Sequence, residues 1–115
     1  MSRKSRGCDY ERKLVHLLYS MGFTAVRVAG SGCMRYPSPD ILASNGTRLI
    51  AFEVKSSQKS CVYIREDDVS DLLSFASSFG AESFFAFHLT NQGWFFKRAE
   101  LGLSKLEEIG SLRQF

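Results

Sequence analysis

A chain of 115 residues that is 44% hydrophobic and 23% charged can bury a single core of its own, without disulfide or metal staples. No apolar run nears the roughly 18 residues that cross a bilayer and no signal-peptide core opens the chain, so no membrane role is expected and the protein reads as intracellular. The net charge of +3 is unevenly placed: residues 1–35 hold seven basic groups against Asp9 and Glu11, and the remainder hold eight basic against ten acidic. Phosphate contact and a merely solvated basic segment both explain that excess. Cys8, Cys33 and Cys61 show no metal-like or Cys-x-x-Cys spacing and read as free thiols, and Cys33 lacks a nearby base to make it a nucleophile. Ten phenylalanines in so short a chain suggest apolar surface beyond the needs of the core, with a subunit interface as one use.

Residues 1–8, basic and containing Ser and Gly, are expected to be a mobile arm until a partner orders them. A helix follows over about 9–21, where Tyr10, Leu14, Leu17, Leu18 and Met21 recur at helical spacing and Arg12, Lys13 and His16 lie opposite. Gly22 stops it. Glu11 falls at the edge of the apolar stripe, so its carboxylate should point partly inward; an acid in the first turn also suits the helix dipole. Residues 23–28 alternate as a strand. Residues 29–39 follow without periodicity, a loop long enough to need a use in a compact domain.

The strand 40–44 meets the strand 47–55 through Asn45-Gly46, a strong hairpin signal. Residue 40 then pairs near 51–53, which lays Asp40 beside Glu53. Alternation puts Leu49, Ala51, Glu53 and Lys55 on one face, with Ile50, Phe52 and Val54 on the other. An acid and an amine on an otherwise apolar face need partners, and a plain salt bridge would serve. A short strand at 61–64 leads to a helix over 66–79, with Glu66, Asp67 and Asp68 in its first turn. Its stripe is Val69, Leu72, Leu73, Ala76 and Phe79, and Gly80 closes it. Strands 83–89 and 94–97 complete a mixed five-stranded sheet, and a last helix is expected over 98–110 on Leu101, Leu103, Leu106 and Ile109. The whole is one α/β domain, residues 1–115, with helices flanking a central β-sheet.

Phosphodiester cleavage needs a charge sink at the phosphate and an activated water. Two carboxylates and an amine at the mouth of a hairpin can provide both with a magnesium ion, for which manganese should substitute. Asp40 and Glu53 are the candidate ligands, with the main-chain carbonyl of Val54 as a third and Glu11 completing the cluster from the helix. Lys55 would orient the attacking water and stabilise negative charge. Gly30-Ser31-Gly32, between Arg27 and Arg35, suits close approach of a phosphate backbone. Arg3, Lys4, Arg6 and Arg12 extend that basic surface. His16 and His88 lack metal-like spacing and read as structural, and no small-molecule organic cofactor is expected.

The ordered set Gly7, Glu11-Arg12-Lys13-Leu14-Val15, Gly22-Phe23, Arg27, Gly30-Ser31-Gly32, Pro39-Asp40-Ile41, Glu53-Val54-Lys55-Ser56 and Tyr63-Ile64 resembles the archaeal Holliday junction resolvases of the Hjc/Hje type. These belong to the PD-(D/E)xK nuclease superfamily. The resemblance covers most of residues 3–80. It implies a restriction-endonuclease-like fold and a magnesium-dependent homodimer that places paired nicks in four-way junction DNA. It also implies catalytic roles for Glu11, Ser31, Asp40, Glu53 and Lys55, and a junction-side role for Arg27. Arg65 departs from the pattern, standing where a Ser, Thr or Asp helix cap is expected. Phe75, Phe79 and some of the aromatics between Phe84 and Phe96 are the candidate dimer contact. The alternatives are another nuclease of the superfamily acting on flaps, mismatches or duplex DNA, and a noncatalytic DNA-binding or architectural protein.

Overall fold

In the computed structural model, residues 3–30, 35–58, 61–62, 64–101 and 107–108 are described. Helix α1 (Arg3–Ser20) leads into β1 (Thr24–Arg27), β2 (Ile41–Ser44), β3 (Leu49–Ser57) and β4 (Cys61–Val62). Helix α2 (Glu66–Phe79), β5 (Glu82–Leu89), β6 (Gly93–Arg98) and β7 (Glu107–Glu108) follow. The main sheet runs β1-β2-β3-β5-β6, and only the central β3–β5 pair is parallel. This is the mixed five-stranded sheet flanked by helices that the sequence implies.

The two central strands are apolar on both faces because each face is covered by a helix. On one side Leu14 and Leu18 of α1 pack with Ile41, Ile50 and Phe52. On the other, Val69, Leu72 and Ala76 of α2 pack with Ala51, Phe85 and Phe87. Alternation along β3 thus sends Ile50 and Phe52 towards α1 and Ala51 towards α2, as the strand period requires.

The hairpin differs in one detail from the expected two-residue turn. Ser44 pairs with Leu49, so residues 45–48 form the loop. The Asn45 side chain explains it: Oδ1 accepts the N–H groups of Thr47 at 2.9 Å and Arg48 at 2.7 Å, while Gly46 supplies a φ of 91°. Relative to the short turn the register moves by two, which keeps every side chain on its expected face.

Three further expectations are corrected. First, α1 begins at Arg3, six residues before the expected start, so the backbone of 3–8 continues the helix. Arg and Lys are good helix formers, and one Gly is tolerated in a helix this long. Second, the helix expected over 98–110 does not form where the chain is described. Ala99 extends the sheet bonding through its N–H to Ser83 O at 3.0 Å, and Glu107–Glu108 pairs antiparallel with Cys61–Val62. Of the expected apolar set Leu101 is exposed, and Leu103, Leu106 and Ile109 lie outside the described residues, with all of 102–106 and 109–115. Third, the surplus of Phe is mostly core: Phe23, Phe52, Phe84, Phe85, Phe87 and Phe96 are all buried, which removes four of the aromatics considered for a subunit contact.

Candidate active site

Asp40 owes its position to two strands at once. Its N–H donates to Phe52 O at 3.0 Å and its carbonyl accepts from Val28 N–H at 2.9 Å, so the backbone is held between β3 and the end of β1. It stands one residue before β2, at the end of the hairpin away from the turn. Strand β2 begins at Ile41, opposite Phe52, and β3 continues past it. The Val54 N–H therefore finds a carboxylate in place of a neighbouring strand, donating to Asp40 Oδ2 at 2.9 Å. A strand residue turns its N–H and C=O to the same side, so the Val54 carbonyl faces the same edge.

Glu53 and Lys55 flank Val54 on the opposite face and point towards α2. Lys55 Nζ lies 4.0 Å from Glu53 Oε2 and 2.9 Å from Asp68 Oδ2. Burial and the charge of Asp40 push the Glu53 carboxyl up to about 8; Lys55 pulls it the other way and Asp68 adds to the rise. Glu53 is thus held beside the charge of Asp40 in a partly buried place, a cost that a divalent cation would relieve.

Glu11 approaches from α1. Its carboxylate accepts a hydrogen bond from Arg27 Nε at 3.1 Å. Burial and the charge of Asp40 raise its pKa, while Arg27 opposes the rise. Among the described residues no group of three or more His, Cys, Asp or Glu is arranged to hold a metal ion. The donor set is thus two paired carboxylates with a main-chain carbonyl near them and a third acid standing off. Hard oxygen donors in this number fit magnesium, which keeps several of its waters and rarely takes a closed protein cage.

The remaining candidates divide between placed and unplaced. Arg12 is exposed and pairs with Asp9 at 3.1 Å. Arg35 is exposed, with its guanidinium 5.8 Å from the centre of the Tyr36 ring. Gly30 adopts a φ of 68°, with open space where a side chain would stand. Arg3, Lys4 and Arg6 lie on the first turns of α1; their side chains, with Ser31, Gly32 and Cys33, lie outside the described residues. Phe75 and Phe79 stack with ring centres 4.9 Å apart, and Phe79 is half exposed. His88 is a core-edge residue between Tyr10 and Trp94, with ring centres at 4.5 and 5.0 Å. Arg65 caps α2 with no side-chain bond, yet the helix begins at Glu66 as expected, its first turn carrying three acids that suit the dipole.

Sequence reasoning missed Asp68, which it treated as one of those three dipole acids. The signal was present: residue 68 precedes Val69 and stands one turn before Leu72, at the edge of the stripe that faces the sheet.

A family model described as archaeal Holliday junction resolvase (hjc) matches residues 2–111. Crossover junction endodeoxyribonuclease Hjc of Archaeoglobus fulgidus is 44% identical over 93 residues, covering 81% of this chain and 68% of that protein. Crossover junction endodeoxyribonuclease Hje of Saccharolobus solfataricus is 41% identical over 73 residues, covering 64% of this chain and 54% of that protein. The solved structure of Archaeoglobus fulgidus Hjc, described as a Holliday junction resolvase, superposes with a TM-score of 0.81 at 37% identity, covering 90% of this chain and 87% of its own. The fold is accordingly restriction-endonuclease-like.

Proposed function

This chain belongs to the archaeal Holliday junction resolvase family, a family of crossover junction endodeoxyribonucleases, and on that premise we propose that it resolves four-way DNA junctions by paired, magnesium-dependent phosphodiester hydrolysis. The observation that carries the reading is the Asp40–Glu53 pair with Lys55 beside it, on two strands whose register leaves the Val54 N–H to fix the Asp40 carboxylate.

A bound magnesium ion, for which manganese should substitute, supplies a charge sink and acidifies water. Asp40 and Glu53 would hold it, with the Val54 carbonyl as the further protein donor. Ligation requires Glu53 to surrender the proton that burial and Asp40 favour. Lys55 donates hydrogen bonds to the attacking water and to a phosphate oxygen, steadying the charge that grows there. Water attacks phosphorus and gives up a proton to solvent as the new P–O bond forms, one P–O ester bond breaks, and the departing oxygen takes up a proton from solvent. Glu11 and Arg27 stand near the pair as an anion and a cation bonded to each other. Arg27, Arg35, Arg12 and the glycines around residue 31 contact backbone phosphates, with Ser31 near the scissile group.

A junction offers two equivalent strands, and an isologous homodimer presents two identical sites to them. Phe79, half exposed and stacked on Phe75, is the candidate contact. The test of the substrate is a comparison of a four-way junction, a 5′ flap and a linear duplex in magnesium. Preferential, symmetric nicking of the junction is expected. Equal or faster cutting of flap or duplex would assign the chain to another nuclease activity, and junction binding without cutting would assign it a noncatalytic role.

A further inference from the structure

The contact between Lys55 and Asp68 goes beyond the roles derived above. Lys55 Nζ donates to Asp68 Oδ2 at 2.9 Å, whereas Glu53, its neighbour on the same strand face, lies at 4.0 Å, outside hydrogen-bonding range. All three side chains are about a quarter exposed, so the pair sits at the mouth of the site rather than on open surface. Asp68 differs here from its neighbours Glu66 and Asp67, which are exposed and already satisfy the dipole of α2. Its backbone is anchored by the buried Val69, Leu72 and Ala76.

A lysine side chain is long and flexible, so an amine needed at one place must be held there. We infer that Asp68 is the positioning residue for Lys55: carried by α2, it draws the ammonium to the edge of the Asp40–Glu53 pair and fixes its direction. The ammonium has three N–H donors. Asp68 takes one, and the others are left for the attacking water and a phosphate oxygen. The helix on one face of the sheet thereby sets the geometry of an amine on the central strand. This inference rests on the nuclease reading, which gives Lys55 its part in the reaction.

The test is single-turnover cleavage of a four-way junction by the full chain carrying Asp68→Ala, Asp68→Asn, Lys55→Ala, or Lys55→Ala with Asp68→Ala. Asp68→Ala should slow cleavage roughly 10- to 100-fold, as expected for a misplaced catalytic group. Junction affinity should stay within about twofold, since the basic residues outside the site that carry most of the phosphate contact are untouched. Asp68→Asn keeps an acceptor oxygen and should recover most of the rate. In the Lys55→Ala background, Asp68→Ala should cost nothing more, because a positioning residue acts only through the group it positions.

A readout free of metal and substrate comes from 13C-methylating the lysines and following the Lys55 resonance, assigned by its loss in Lys55→Arg. The resonance should be distinct in the native chain and merge with those of mobile surface lysines in Asp68→Ala. If Asp68→Ala cuts at the native rate or faster while Lys55→Ala is inactive, the inference is overturned and the nuclease reading stands. The same holds if the two losses add, or if the Lys55 resonance does not move. If Lys55→Ala itself cuts at the native rate, the role given to Lys55 fails and the inference fails with it.

Discussion

Replacing Glu53 by Gln should make the metal-free protein more stable while removing its activity. The Glu53 carboxyl titrates at about 8 in the fold, against an ordinary 4.5, because burial and then the charge of Asp40 disfavour its ionised form. A raised carboxyl contributes stability that is fully present below its unfolded pKa and is lost as pH rises through the folded value. At pH 8, therefore, the native chain has forfeited most of that contribution. Each pH unit between the two values is worth about 1.4 kcal/mol, which gives a ceiling of about 5 kcal/mol. The side chain keeps 24% of its exposure and can relax towards water, so about 2 kcal/mol is the expected gain for the isosteric neutral amide. At about 2.1 cal/mol/K per residue, that is a rise of about 8 °C in Tm for this chain. Thermal unfolding in EDTA at several pH values measures it. The gap between Glu53→Gln and the native chain should be widest near pH 8 and close towards pH 4, where both carry a neutral group. A variant no more stable than the native chain at pH 8, or a gap independent of pH, would mean that burial beside Asp40 does not disfavour the ionised Glu53.

Magnesium should bind with release of protons below pH 8, because ligation ionises Glu53; calorimetry in buffers of different ionisation enthalpy would detect this, and Asp40→Asn or Glu53→Gln should abolish it. Arg48 forks onto Glu82 with both bonds at 2.8 Å, and Arg98 adds a third at 3.1 Å, at the end of the sheet away from the site. Arg48→Ala should cost about 1 kcal/mol in urea unfolding and leave cleavage unchanged. Arg48 lowers the pKa of Glu82, so that contribution is present above the ordinary carboxylate pKa and should fade as pH falls through the lowered one. Phe79→Glu should turn the proposed dimer into a monomer by sedimentation and uncouple the two nicks; a native chain already monomeric at micromolar concentration would remove the dimer from the account.

The parts of the fold that were legible are those in which one short-range rule dominates. Helix α2 was readable to the residue because three acids open it, a clean stripe fills it and Gly80, at a φ of 81°, ends it. The hairpin brings Asp40 to the stretch Phe52–Val54, beside Glu53, because an error of two in the register moves neither end of the strands far and leaves their faces unchanged. Glu11 was readable as inward-leaning from its angle on α1, but its ion pair with Arg27 joins residues sixteen apart and left no local trace. Asp68 was hidden for a similar reason: its helix-dipole role was sufficient by itself, and only the packing of α2 against β3 brings it to Lys55. The last third misled because irregularly spaced leucines mimic a helix, whereas the partner of Glu107–Glu108 is a distant two-residue strand. The phenylalanines looked surplus until both faces of the sheet were seen to need them.

The most direct test of the central claim is a gel assay of native chain and Asp40→Asn on one labelled four-way junction in magnesium. The native chain should nick opposite strands symmetrically, while Asp40→Asn should bind the junction with near-native affinity and leave it intact. An Asp40→Asn chain that cuts as the native one does would place the cleavage site elsewhere, and a native chain that binds the junction and never cuts it would not be a nuclease.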